Sequence, residues 1–280
     1  MKKIAIALAL ILSVLLLTSC SLGGEKPTTN SDAQTDKTSQ NDAYLQTPSG
    51  KAPGLYNQTT GDIKYTWAEL EVRGFVTVKE NFITDAVNYL IGDLYIPNGV
   101  LGISKSAFSG CTGLTGVFTG NGMTTIGTGA FSSCTGLISV ELGTEITNIS
   151  NKAFNYCTRL EKITIPNSVT NIGASAFAGC TGLLTAHVGD GVTNISKSAF
   201  SGCTGLESIR LGKNITYIGT SVFKNCEDLS VVDYNGTRNE WGAILIDKKN
   251  EELYNASLIT TDPPVIEENN EVDDEFALNF

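Results

Sequence analysis

The stretch Leu160–Cys180, LEKITIPNSVTNIGASAFAGC, decides the fold because it is one copy of a pattern that returns every 23 residues. Phenylalanine recurs at Phe108, Phe131, Phe154, Phe177, Phe200 and Phe223. Cysteine follows three places later at Cys111, Cys134, Cys157, Cys180, Cys203 and Cys226, and leucine at Leu114, Leu137, Leu160, Leu183, Leu206 and Leu229. Three columns in register, without insertion, mean that one structural unit stacks on itself as a solenoid. The octapeptide AFSGCTGL, found at Ala107–Leu114 and again at Ala199–Leu206, is part of that frame.

The rest of the unit fills in around these columns. After each leucine comes an apolar-x-apolar triplet, as in Val140-Glu141-Leu142, Ile163-Thr164-Ile165 and Ile209-Arg210-Leu211. Alternation over a few residues predicts a short strand with one buried face. Gly143, Pro166, Gly189 and Gly212 punctuate the strands, and an isoleucine precedes each phenylalanine by five residues, from Ile103 to Ile218. The segment SAFSGC has small residues and no β-branching, which predicts one helical or 3-10 turn.

The unit closely resembles the BspA-like bacterial leucine-rich repeat, L-x-x-L-x-L-P-x-S-L-x-x-I-G-x-x-A-F-x-x-C. The resemblance covers about Leu94 to Tyr234 and implies an α/β-type, right-handed leucine-rich-repeat solenoid. Its parallel sheet would form one face, with short helical or 3-10 turns opposite and a cap at each end. Six rungs at about 4.8 Å each would run roughly 30 Å.

Solenoid ends expose core unless they are covered. TWAEL places Thr66 and Glu69 at capping-box spacing, so a helix is expected from Thr66, followed by a strand in GFVTV. GTRNEWGAILI repeats the device with Thr237 and Glu240, and Tyr234–Trp241 resembles the motif that ends many such arrays. The two tryptophans, Trp67 and Trp241, fall one in each expected cap.

The chain opens with MKK, an apolar run and then Leu17-Thr18-Ser19-Cys20. This pattern resembles a bacterial lipobox, which implies cleavage before Cys20 and acylation of its sulfur. The expected organisation is a lipoprotein signal peptide over 1–19, a lipidated cysteine and disordered tether over 20–58, and an N-terminal cap over 59–93. Six repeats over 94–234, a C-terminal cap over 235–260 and an acidic disordered tail over 261–280 complete it. The expected location is extracytoplasmic, on the bacterial surface, with the membrane touched through the lipid anchor alone.

Net charge is −10, but residues 94–234 carry 8 basic and 8 acidic side chains, whereas 235–280 carry 3 and 11. There is no basic face for phosphate neutralisation, which argues against nucleic acid as a partner. The six column cysteines form a line rather than a convergent cluster, which argues against a metal site. Stacked rungs bring such cysteines within disulfide range, yet their side chains point the same way; reduced thiols serving as small buried hydrophobes are the expectation. The single histidine, His187, has Cys180 as a conceivable partner, but five equivalent cysteines lack one and no catalytic motif appears. No enzymatic activity and no cofactor are expected. The N-x-S/T triplets at Asn57, Asn148, Asn194, Asn214 and Asn235 read as by-products of the turn.

Two columns should face solvent on the sheet. One holds Gly116, Ser139, Lys162, Thr185, Ser208 and Val231, the other Phe118, Glu141, Thr164, His187, Arg210 and Asp233. The candidate binding surface is Phe118, Glu141, Lys162, Thr164, Thr185, His187, Arg210 and Asp233, with Phe118 as apolar anchor. The family resemblance implies adhesion or recognition of a protein or glycan on host matrix or neighbouring cells, by a monomer. The alternative is a structural spacer of the envelope with no specific ligand.

Overall fold

The computed structural model describes residues 54–58, 61 and 63–263. Cys20 and most of the expected tether and tail lie outside these residues. Eight parallel strands run in sequence: β5 (Gly92–Tyr95), β7 (Leu114–Phe118), β9 (Ser139–Glu141), β11 (Lys162–Ile165), β13 (Thr185–Val188), β15 (Ser208–Leu211), β17 (Val231–Tyr234) and β19 (Ser257–Ile259). The antiparallel pair β1 (Gly54–Tyr56) and β2 (Ile63–Thr66) completes a ten-stranded sheet at the N-terminal end. The sheet is therefore longer than the six expected rungs, because strands are added at both ends, β1 and β2 at the N-terminal end and β19 at the C-terminal end. Gly54–Tyr56 also falls inside the stretch expected as tether. Leu55 and Tyr56 are buried there, so the folded part begins at least at Gly54.

The single expected sheet is joined by a second one. The isoleucine column sits in two-residue strands β6 (Gly102–Ile103), β8 (Thr125–Ile126), β10 (Asn148–Ile149), β12 (Asn171–Ile172), β14 (Asn194–Ile195) and β16 (Tyr217–Ile218). With β18 (Leu245–Ile246), β4 (Phe82–Ala86) and β3 (Val76–Lys79) they make nine strands, parallel except for the β3–β4 hairpin. A column of threonines stitches the approach to this sheet. The Thr147, Thr170 and Thr193 hydroxyls donate to the carbonyls of Thr124, Thr147 and Thr170 at 3.3, 3.4 and 3.2 Å.

The third side of each rung is not helical, which corrects the expected helical or 3-10 turn. Two residues per rung sit in the left-handed region: Ser106, Gly129, Lys152, Ser175, Ser198 and Ser221 first, then Gly110, Ser133, Tyr156, Gly179, Gly202 and Asn225. A left-handed residue cannot continue a right-handed helix, so the segment is a chain of tight turns. Turning in this way aims the backbone at the next rung. The amides of Phe131, Phe154 and Phe177 donate to Ala153, Ala176 and Ala199, each at 2.8 Å. Every rung is therefore bonded to its neighbour along all three sides.

The core is built in columns. The six phenylalanines are fully buried and stack parallel, with centroids 5.1 to 5.9 Å apart. The six cysteines are buried free thiols, and they act as more than small hydrophobes. Cys134, Cys157, Cys180, Cys203 and Cys226 each donate an S–H to the phenylalanine carbonyl 26 residues earlier, at 3.1 to 3.2 Å. Burial pushes the thiols of Cys111, Cys134 and Cys180 up to about 12 from the ordinary 9.

That shift has a pH consequence. A thiol that ionises at about 9 when unfolded and near 12 when folded contributes fully below pH 9, and its contribution is lost as pH rises toward 12. Thermal midpoints should therefore hold from pH 7 to 9 and fall above it. In a Cys134→Ala/Cys180→Ala variant the fall should be shallower; an unchanged slope would contradict the assignment. A thiol reagent should find the six column cysteines unreactive in the native chain and reactive after denaturation.

Both capping boxes form as the spacing predicts. Helix α1 (Trp67–Val72) is capped by Thr66 with Glu69, and α2 (Arg238–Gly242) by Thr237 with Glu240. Trp67 is buried and Trp241 meets Tyr234 edge-on at 5.4 Å. Asp262, expected in the tail, accepts from the Arg238 amide at the start of α2, so the C-terminal cap reaches past residue 260. A third helix, α3 (Glu251–Asn255), follows β18.

Candidate functional site

The outer face of the ten-stranded sheet carries a groove of about 1010 Å³. It arises because each strand raises one side chain of the Phe118-to-Asp233 column and then drops through a Gly or Pro into a turn that rises again. One ridge is thus Phe118, Glu141, Thr164, His187 and Arg210; the other carries Thr144, Asn167 and Asp190, with Asn235 at its end. Pairing fixes the first ridge: Thr164 lies beside His187, His187 beside Arg210, and Arg210 beside Asp233.

Of the eight face residues singled out from sequence, Phe118, Glu141, Lys162, Thr164, His187 and Arg210 line the groove together. Thr185 and Asp233 do not. Thr185 is exposed in the first column, and half-buried Asp233 faces Arg210 at 3.7 Å. Gly116 of the same column is buried rather than exposed, because Phe118 leans across it.

The second ridge has no counterpart among the sequence candidates. Asn98, Asn121, Asn167 and Asp190 follow the 23-residue frame, and each accepts from a backbone amide one rung later. The distances are 2.9 Å to Asn121, 3.4 Å to Thr144, 2.9 Å to Asp190 and 3.0 Å to Lys213. The sequence signal is partial: Asn121, Asn167 and Asp190 stand two residues after their triplets, but Thr144, Lys213 and Gly236 occupy the same place in the others. Asparagine and aspartate in a turn satisfy backbone donors in this way.

The far end of the groove is a polar knot. Asn235 donates from Nδ2 to both Asp190 oxygens at 3.0 and 3.1 Å, and Arg210 Nη2 donates to Asn235 Oδ1 at 3.5 Å. The Asn235 amide, helped by the Lys213 backbone N–H, holds the Asp190 carboxyl below the usual range. The Arg210–Asp233 pair is about half exposed and contributes at most about 1 kcal/mol. Its effect is to orient Arg210.

The fold does not bring Cys180 and His187 together. Cys180 points into the core with its S–H on the Phe154 carbonyl, whereas His187 is exposed on the outer face. Among the described residues no group of three or more His, Cys, Asp or Glu is placed to hold a metal ion. The amides of Asn148 and Asn194, in two of the N-x-S/T triplets, are engaged with Ser150 and Ser196.

Among curated proteins none matches the chain. Among solved structures it is similar to a leucine-rich repeat protein of T. pallidum, 23% identical, covering 66% of this chain and 94% of that one at a TM-score of 0.50. It is also similar to a leucine-rich cell surface protein of Faecalibacterium prausnitzii, 30% identical, covering 62% of this chain and 41% of that one at a TM-score of 0.48. The pattern of the BspA type leucine-rich repeat region matches residues 87–204 and 147–245, in six copies. Together with the 23-residue frame, that match shows that the chain belongs to the BspA-type leucine-rich repeat family.

Proposed function

We propose that the protein is a lipid-anchored surface lipoprotein that captures a protein or glycan partner, on host matrix or neighbouring cells, in the groove of its sheet face. The observation that carries this reading is the convergence of Phe118, Glu141, Lys162, Thr164, His187 and Arg210 on one groove. A solvated spacer has no need of an aromatic, two cations, a carboxylate and an imidazole facing one concavity. The cell-surface description of the F. prausnitzii relative agrees with an export signal ending in Cys20. Two acyl chains on that cysteine suffice for stable anchoring.

The test is capture. The chain, offered matrix proteins, glycans and bacterial cells, should retain a partner, and Phe118→Ala/His187→Ala/Arg210→Ala should abolish retention with the circular dichroism spectrum unchanged. Undiminished retention by the triple variant would remove the groove from the account and favour a spacer. Separately, the protein should incorporate labelled fatty acid in cells and Cys20→Ala should not; equal labelling of the two would contradict the lipid anchor.

A further inference from the structure

If the groove is the recognition site, its own chemistry narrows what it recognises. Four of its side chains, Glu141, Lys162, Thr164 and His187, are exposed and make no side-chain hydrogen bond or ion pair among the described residues. By contrast Arg210, Asp190 and Asn235 are tied to one another. The free groups are therefore the ones a ligand would meet.

Three features bear on the nature of that ligand. The first is the backbone. Strands β9 to β15 are each bonded to a neighbour on both sides, so an incoming peptide finds no open edge for strand addition, a frequent mode of peptide capture. The second is charge. Glu141 and Asp190 offset Lys162 and Arg210, so neither a polyanion nor a polycation meets a field of one sign. The third is polarity. Lys162 and Thr164 share one rung, Glu141 and His187 stand on the rungs to either side, and together they offer closely set donors and acceptors to hydroxyl groups.

Phe118 sets the end of the groove. Its ring lies parallel to Tyr95 on the preceding rung, with centroids 4.2 Å apart and planes 4° from parallel. The ring planes thus stand across the solenoid axis, and the second face of Phe118 looks down the groove. Gly116 makes this placement possible, since a Cβ there would lie 2.7 Å from the Phe118 ring. A flat apolar wall fixed from behind is suited to the C–H face of a sugar ring. From Phe118 to Arg210 is four rungs, about 19 Å.

We infer, on the premise of the recognition role proposed for this face, that the groove binds the terminal two or three sugars of a neutral glycan, with the end ring stacked on Phe118. The hydroxyls of the end ring and of the ring next to it would meet Glu141, Lys162, Thr164 and His187. The groove is bounded at both ends, by Phe118 and by the Arg210–Asn235 knot, so it takes a chain end rather than the middle of a polymer.

Titration calorimetry on the full chain in detergent tests this directly. The probes are neutral trisaccharides (β1,4-linked glucose, β1,4-linked mannose, α1,4-linked glucose and β1,4-linked N-acetylglucosamine) and their hexasaccharides, with a heparin hexasaccharide as polyanion. At least one neutral trisaccharide should bind, and its hexasaccharide should bind within about threefold as well, because only the end is held. Phe118→Ala and Thr164→Val should each weaken it about tenfold or more. Preference for heparin, silence from every neutral probe, or full binding by Phe118→Ala would overturn the inference. The outcomes separate it from the broader reading. A protein partner lost in the groove variants, with no sugar bound, would sink the glycan and keep the recognition face. Variants that retain every partner would sink both.

Discussion

Phe154→Ala is expected to cost about 3–5 kcal/mol of unfolding free energy, as for other buried aromatic truncations. Phe154 is fully buried, with Phe131 at 5.3 Å on one side and Phe177 at 5.4 Å on the other. Removing the ring opens a cavity between two stacked neighbours that the three backbone ladders hold in place, so collapse to fill it is resisted. Position matters as well. In a solenoid each rung touches only its neighbours, and a lesion in the middle weakens the interface joining two halves. Urea unfolding should therefore show both a lower midpoint and a smaller m-value, or two transitions where the parent has one. A loss under about 1 kcal/mol would mean that the phenylalanine column is not the spine of the fold.

The second large effect is expected at the C-terminal end, from Asn250→Ala. In the interior, each phenylalanine amide finds the carbonyl of the next rung; beyond Phe223 the closing segment that carries β18 and β19 offers a side chain instead. Asn250, buried to 1% exposure, substitutes with its side chain. Its Oδ1 accepts from the Phe223 amide at 3.1 Å, while its Nδ2 donates to the Gly219 and Asp247 carbonyls at 3.0 and 2.8 Å. Glu252 repeats the substitution one turn later, accepting from the Asn225 amide at 2.7 Å. Truncating Asn250 strands one donor and two acceptors, each costing about 1–3 kcal/mol when left unbonded. A total loss of about 3–5 kcal/mol is expected. Asn250→Asp should not rescue it, because a carboxylate keeps the acceptor but turns toward two carbonyls. Hydrogen exchange should show the Phe223 and Asn225 amides losing protection before those of Phe154. Equal protection across the array would contradict the capping role.

These two positions mark what was legible in the sequence. Phe154 belongs to a column, and a column survives because the same packing problem recurs at every rung. Asn250 solves its problem once, in an aperiodic segment, so no repetition announces it. The left-handed turns lie between these cases. They fall in register, but Ser106, Lys152 and Tyr156 are not residues that spell a positive φ, so the segment reads as helix until its backbone is seen. The isoleucine column is visible, yet two residues are too few to show the alternation of a strand, and the second sheet stays hidden. On the groove, the strand ridge can be read from its alternation. The Asn/Asp ridge cannot, because its polar residues resemble ordinary loop composition until their amide partners one rung away are seen.

The cysteines follow the same logic. Their spacing shows that they form a column, and chemistry suggests inert thiols. That five of the six thiols also cap a phenylalanine carbonyl depends on the offset of 26 residues, one rung plus one turn, which only the fold reveals.

The central claim is that recognition occupies the groove of the sheet face and not the turns or the caps. Backbone amide chemical-shift mapping, with isotope-labelled protein and the captured partner, tests it most directly. The account predicts shifts concentrated at Phe118, Glu141, Thr164, His187 and Asp190, fading on the Ser106-to-Ser221 turn side. Shifts centred on those turns, or on α1 and α3 in the caps, would contradict it.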